Sequence, residues 1–468
     1  HLFRDRFDIP LSDEELETIP FYLPPTDSPE MEYMRERRSA LGGNLPARRV
    51  QADETLPIPV LADFEPILAG SGGRAISTTM AFVRLLSILV KDKNIGQRVV
   101  PIVPDEARTF GMEGMFRQLG IYSPIGQKYT PVDASQMLYY KESEQGQILE
   151  EGINEAGSMA AWMACATSYS AHNYPMIPFF IYYSMFGFQR FGDLAWAAGD
   201  SSCRGFLIGG TAGRTTLAGE GLQHQDGHSL LLAASIPNCV TYDPCYAYEM
   251  AVIIHRGLQE MVVEQKNCYY YLTAMNENYE QPAMPVGVEE GIVRGMYCLQ
   301  RAENAQVQLL GSGTILREVE AAAVILREQF NLPANVWSVT SFNELRRDGF
   351  DVERWNRLHP TEKPQVAYVE SLLADTQGPV IAATDYVKMI ASQISPWVPR
   401  RYDVLGTDGF GRSDTRAQLR RHFEVDRFHI VLAALHALQK DGVLSADVVE
   451  KARVQFNIPA DNLPPIYS

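Results

Sequence analysis

The amino-acid sequence predicts two consecutive α/β domains, each built on a buried parallel sheet, behind an irregular N-terminal arm. Three observations predict it. From Ile76 onward, short apolar runs of strand length alternate with helical stretches. The alternation pauses at NENYEQPAMP, residues 276–285, a polar, proline-punctuated segment, and then resumes. The first 57 residues, with their IPFYLPPTDSPEMEYMRERR stretch, hold too few periodic apolar residues for a core of their own. The expected division is an arm over residues 1–57, a first domain over 58–280 and a second over 281–468.

The elements follow in order. The arm is expected to lie on a neighbouring domain. Ser77 is placed to cap a helix whose apolar positions Met80, Val83, Leu86 and Val90 recur at helical spacing. RVVPIV, residues 98–103, reads as a strand that runs out into Asp105 and Glu106. QILEEGI then feeds a helix of small residues, NEAGSMAAWMACATSY, with Asn154 as its cap. PMIPFFIYY and RGFLIGG are strands with a helix between them. CVTY is another, and Asp243-Pro244 after it reads as a cap followed by a proline at the first helical position. CYYYLTA, residues 268–274, completes the first sheet. In the second domain QVQLLGSG, NVWSVTS, PVIAATD and YDVLGTDGFG each lead into a helical stretch.

Composition narrows the function. The 468 residues are 46% hydrophobic and 21% charged, enough apolar material for more than one core. A formal charge of -16 with no basic stripe argues against a nucleic-acid partner. The longest apolar run, AFVRLLSILV at 81–90, is interrupted by Arg84 and is too short to cross a bilayer, so no membrane segment is expected. The six cysteines lie mostly within apolar runs and form no C-x-x-C pair, which points to a reducing, cytoplasmic setting. The chain starts at His1, without an initiator methionine or a signal-peptide core, and is expected to be a piece of something longer.

Several motifs invite a functional reading. GSGT at 311–314 follows a strand but lacks the third glycine of a dinucleotide fingerprint, so it reads as a tight strand-to-helix turn. TDGFGRSDTR, 407–416, reads as a structural loop with Ser413 or Asp414 capping a helix. In GEGLQHQDGH, 219–228, His224 and His228 stand at the i, i+4 spacing of a zinc-binding helix. Three glycines make a helix there improbable, at about 1 kcal/mol each relative to alanine. A glycine-rich loop carrying one proton-exchanging histidine fits better than a metal site, beside the plain alternative of a surface loop. Glu155 follows the Asn154 cap, so its carboxylate is expected at the strand-to-helix edge where open α/β sheets bind ligands; the plain alternative is an acid complementing the helix dipole. Asp105 and Glu106 are expected on the same rim.

Taken together, VPDEARTFGMEGMFRQLGIYSP (103–124), EGINEAG (151–157), YYSMFGFQRFGDLAWAAGD (182–200) and GGTAGRTTLAGEGLQHQDGHS (209–229) closely resemble one family. It is the thiamine-diphosphate-dependent component of the homodimeric, bacterial-type pyruvate dehydrogenase complex, and LGTDGFGRSDTRAQLRRHFEVD extends the likeness nearly to the end. The resemblance implies a transketolase-like fold of which this chain carries the pyrimidine-binding middle domain and the C-terminal domain, preceded by the tail of a diphosphate-binding domain. The GDG motif that holds Mg2+ and the diphosphate is absent from the chain.

Carried over residue by residue, the resemblance assigns Glu155 to the aminopyrimidine ring, as an acid whose proton affinity burial raises. It assigns Phe186 to packing on that ring, and Asp105 and Glu106 to the cofactor cleft. Tyr183 and His224 meet substrate, Glu220 is a loop acid near the dimer contact, and Arg190 supports the set. The implied activity is oxidative decarboxylation of pyruvate at the end of glycolysis, with the acetyl group passed to a lipoyl group on a partner acyltransferase. The implied assembly is a homodimer or an α2β2-like complex, and the chain alone is expected to be inactive. A piece of a longer enzyme, a natural half of a split and specialised 2-oxo acid dehydrogenase, and a non-catalytic assembly subunit all stay open. Two departures stand out: Gln225, where an acid is common in the family, and the apolar SLLLAAS after it.

Overall fold

Tyr269–Thr273 reads YYYLT and is buried along its whole length, as expected of a strand covered on both faces. In the computed structural model, which describes residues 1–43, 49–104, 107–132 and 140–468, this strand is the fifth of six. The order across the sheet is Leu149–Glu150, Val99–Val103, Ile177–Tyr183, Phe206–Gly210, Tyr269–Thr273, Cys239–Tyr242. Every pairing is parallel. Connections leave Val99–Val103 and Ile177–Tyr183 toward opposite edges, so the switch point of the topology lies between them.

The helix Thr78–Leu89 is capped by the Ser77 hydroxyl, which accepts from the Met80 amide at 3.1 Å. Its buried face runs through Ala81, Phe82, Leu85, Leu86 and Leu89, while Met80, expected among the apolar positions, faces outward. The helix Glu155–Ala166 starts at Asn154, whose side chain accepts from the Gly157 amide at 3.0 Å. It buries Met159, Trp162 and Ala166 against the sheet, and the Trp162 indole donates to the Phe206 carbonyl at 3.1 Å.

The second sheet has the order Tyr297–Gln300, Ala334–Ser338, Val307–Gly311, Val380–Ala383, Tyr402–Leu405. Four strands are parallel, and Tyr297–Gln300 is an antiparallel edge that the sequence pattern did not single out. GSGT forms a single 3-10 turn, Gly313–Ile315, between strand and helix, as expected. The chain is a pair of α/β units, each on its own largely parallel sheet, as expected.

Three expectations need correction. The helix expected after Asp243-Pro244 begins at Ala247, and its free amides at Cys245 and Tyr246 are taken by the Glu249 carboxylate at 2.7 and 3.0 Å. Asp243 itself is buried and accepts from the Thr273 hydroxyl at 2.6 Å. After the TDGFGRSDTR loop the cap is Thr415, one residue beyond Asp414, because its hydroxyl reaches the Gln418 amide. The arm's helices, Leu2–Arg6, Asp13–Glu17 and Pro29–Ala40, bury no residue. Among the described residues, packing on the first domain begins near Val50, whose carbonyl accepts from Arg204, and Ala52, whose amide donates to Gln265.

Candidate active site

The carboxyl ends of the strands flanking the switch point, and of their neighbours, deliver the candidate residues to one place. Glu155 is the first residue of its helix, directly after the Asn154 cap, and is 8% exposed. Among the described residues its carboxylate is engaged by Arg190 alone, with Nη1 to Oε1 at 2.9 Å. Arg190 sits on the kinked helix Phe188–Asp200, which follows the strand Ile177–Tyr183. Its guanidinium carbon lies 3.9 Å from the centre of the Phe186 ring, within the range of a cation–π contact.

Phe186 belongs to the single turn Ser184–Phe186 at the end of the same strand. It meets Tyr183 with ring centres 5.9 Å apart and His224 at 5.2 Å, and Tyr183 and His224 are 5.1 Å apart. Phe110 closes this aromatic wall from behind, 5.4 Å from Tyr183. Glu155, Arg190, Phe186, Tyr183 and His224 are thus linked in one continuous contact chain. Asp105 and Glu106 lie outside the described residues.

His224 hangs from the loop that follows the strand Phe206–Gly210. The GEGLQHQDGH stretch is turn, bend and irregular chain without a helix, as its glycines lead one to expect. His224 Nδ1 is buried without a hydrogen bond, although Glu220 Oε2 stands 3.4 Å away, close enough for charge attraction but poorly aligned. His228 pairs separately with Asp226 at 3.7 Å, so the two histidines do not converge. Among the described residues no group of three or more His, Cys, Asp or Glu side chains is arranged to hold a metal ion.

The Gln225 departure has a structural account. The side chain is 1% exposed; its Nε2 donates to the Leu217 carbonyl at 2.9 Å and its Oε1 accepts from the Arg412 amide at 2.7 Å. An amide satisfies both partners, whereas a carboxylate has nothing to donate. The apolar segment after it forms the helix Ser229–Ala233, with Leu230 and Ala233 buried.

Residues 56–282 match the family described as the pyruvate dehydrogenase E1 component middle domain, and residues 295–426 match the transketolase-like C-terminal domain. Over 468 residues the chain is 63% identical to a protein named pyruvate dehydrogenase E1 component from Pseudomonas aeruginosa, covering 99% of this chain and 53% of that protein. The chain belongs to the pyruvate dehydrogenase E1 family. The E1 component of Escherichia coli K12 is 56% identical over 466 residues, with 99% of this chain and 52% of that protein covered. The chain spans about half the length of the E1 relatives it matches. A transketolase structure from Campylobacter jejuni superposes with a TM-score of 0.59 at 18% identity, covering 80% of this chain and 49% of that one. A structure described as a split gene transketolase, inactive beta4 tetramer, gives 0.51 at 15% identity, covering 79% of this chain and 99% of that one. At such identities the likeness is one of fold.

Residues of this E1-family chain that sequence reasoning missed lie in the second domain. Asp385, Tyr386, Val387 and Arg412 all bond to the glycine-rich loop of the first domain. PVIAATD placed Asp385 after a strand, but nothing local in the sequence tied it to residues 170 positions earlier.

Proposed function

We propose that this chain is the pyrimidine-binding and C-terminal part of a pyruvate dehydrogenase E1 that decarboxylates pyruvate and acetylates a lipoyl group. The observation that carries the reading is the contact chain from Glu155 through Arg190 and Phe186 to Tyr183 and His224. A buried carboxylate with one oxygen engaged leaves the other for a ring nitrogen. Phe186 offers a flat face, and the unbonded His224 nitrogen needs a partner. These features fit a thiamine diphosphate ring with substrate beside it. When bound, thiamine diphosphate supplies the electron sink that takes up the pair left by the departing carboxyl group.

The chain's own residues supply the rest. Glu155 holds and returns a proton at the pyrimidine ring, with Arg190 fixing its orientation. Phe186 sets the ring plane, Tyr183 orients the keto oxygen of pyruvate, and His224 carries a proton to or from substrate with Glu220 beside it. The diphosphate and its Mg2+ would be held by a domain or subunit outside this sequence, so the chain alone is inactive. Its partners are that region, a second copy, and a lipoyl-bearing acyltransferase. A cytoplasmic location is supported by the free cysteines, five of them buried. Among the described residues no helix is long and apolar enough to cross a membrane.

A second reading, two separate polypeptides forming one active unit, is favoured by the split gene transketolase neighbour, whose chain is covered over 99% of its length. The test joins this chain, fused or mixed, with the missing half of its relatives and follows ferricyanide reduction driven by pyruvate. Activity that depends on added thiamine diphosphate, with Glu155→Gln lowering cofactor affinity and turnover together, is the expected result. Silence from correctly assembled protein, or a Glu155→Gln variant indistinguishable from its parent, would overturn the reading.

A further inference from the structure

The loop that carries Glu220 and His224 belongs to the first domain, yet fixed points at both of its ends come from the second. Near its start, the fully buried Asp385 carboxylate receives four hydrogen bonds. Thr215 donates its amide and hydroxyl to Oδ1 at 2.8 and 2.7 Å, and Thr216 donates its amide and hydroxyl to Oδ2 at 3.1 and 2.6 Å. A Cβ at Gly213, which has φ +87°, would run into the same carboxylate, so the close approach requires glycine.

The far end is held the same way. The Val387 amide donates to the Gly227 carbonyl at 2.8 Å, and the Tyr386 hydroxyl donates to Asp226 at 3.3 Å. Arg214 reaches back across the seam to the carbonyls of Thr407, at 2.6 Å, and Gly409. Between these anchors, the His224 amide donates locally, to the Gly221 carbonyl at 3.2 Å.

We propose that Asp385 is a positioning residue for His224: from the second domain its carboxylate sets the Thr215–Thr216 turn and, through it, the place where the imidazole meets Tyr183 and Phe186. The proposal rests on the role given to His224 above. All four groups facing Asp385 are donors, so it acts as a pure acceptor. Asparagine has the same shape but turns an NH2 toward two of them, leaving buried donors unmet and forcing the turn to move. A displacement of the order of 1 Å in a reacting group costs up to about a hundredfold in rate.

The test uses the chain extended by the N-terminal half of its relatives, with Asp385→Asn and Thr216→Val each compared with the parent. Expected are a fall in kcat of about ten- to a hundredfold, unchanged affinity for thiamine diphosphate, because Glu155 and Phe186 lie outside the loop, and shifted imidazole NMR signals of His224. Thr216→Ser, which restores the hydroxyl, should return both kcat and the signals to the parent values. Parent-like kcat and imidazole signals in folded Asp385→Asn would overturn the proposal. So would a loss of kcat and cofactor affinity together with unmoved His224 signals, the pattern of general damage. Should Asp385→Asn fail to fold, Thr216→Val decides alone. Glu155→Gln, run in parallel, separates the two claims: if it leaves cofactor affinity intact the functional reading fails, while the His224 signals still judge Asp385.

Discussion

Arg190 serves Glu155 and Phe186 at once: its Nη1 is 2.9 Å from the Glu155 carboxylate while its guanidinium carbon sits 3.9 Å over the Phe186 ring. One side chain thereby sets the relative placement of an acid and an aromatic face that come from different strand ends. The planar fork does what an ammonium group cannot, stacking and hydrogen-bonding together.

Replacing Arg190 with methionine keeps the length and apolar stem but removes both contacts. The side chain is 47% exposed, so water screens the ion pair and only about 1 kcal/mol is expected from it. Affinity of the extended chain for thiamine diphosphate should fall by about three- to tenfold. Arg190→Lys should recover less than half of that free energy, since it restores charge without stacking. Calorimetric titration of the cofactor reads both; equal affinities for parent and Arg190→Met would show that the pair is incidental.

Gln225→Glu places an acceptor against the Leu217 carbonyl, where an amide now donates at 2.9 Å. Because the site is 1% exposed, no water replaces the lost donor, and a loss of about 1–3 kcal/mol of stability is expected near pH 8. Protonation of the introduced carboxyl restores a donor, so the variant should approach the parent in melting temperature near pH 5. Paired thermal melts at the two pH values check this; a deficit that does not shrink in acid would refute it.

Asp243 offers a pH signature of the native chain. Burial pushes its pKa up to about 7, with the Thr273 and Ser312 hydroxyls opposing, from an ordinary 3.8. A carboxyl whose folded pKa is raised holds its proton in the folded state while the unfolded chain has lost it. Its contribution is complete below about pH 4 and is lost as pH rises toward 7. Each tenfold change in proton affinity corresponds to ~1.4 kcal/mol, so the span is a few kcal/mol. Asp243→Asn should flatten the decline in stability between pH 5 and pH 8. Denaturant unfolding at the two pH values is the measurement, and an unchanged slope would remove Asp243 as its source.

The alternation of strands and helices was legible because strands such as YYYLT and VVPIV are buried on both faces and therefore apolar without interruption. Asn154 and Ser77 were legible as caps because their bonds close within three residues. Asp243 looked like a cap by the same local rule, but Thr273 on the adjacent strand captured it and Glu249 took over the helix start. In the candidate site, the Glu155–Phe186–Tyr183–His224 grouping came from family motifs, and Arg190 was found only as support for it. The bonds from Asp385 to Thr215 and Thr216 connect residues 170 and 169 apart, a distance at which neither period nor spacing carries a signal.

The threonine grip on Asp385 is made of hydroxyl and amide donors, and among the described residues no cation forms an ion pair with it. Dissolved electrolyte weakens attraction between opposite charges but scarcely touches a sealed carboxylate met by neutral dipoles. The loop should therefore hold its posture from dilute buffer to concentrated brine, even where looser ion pairs on the molecular exterior let go.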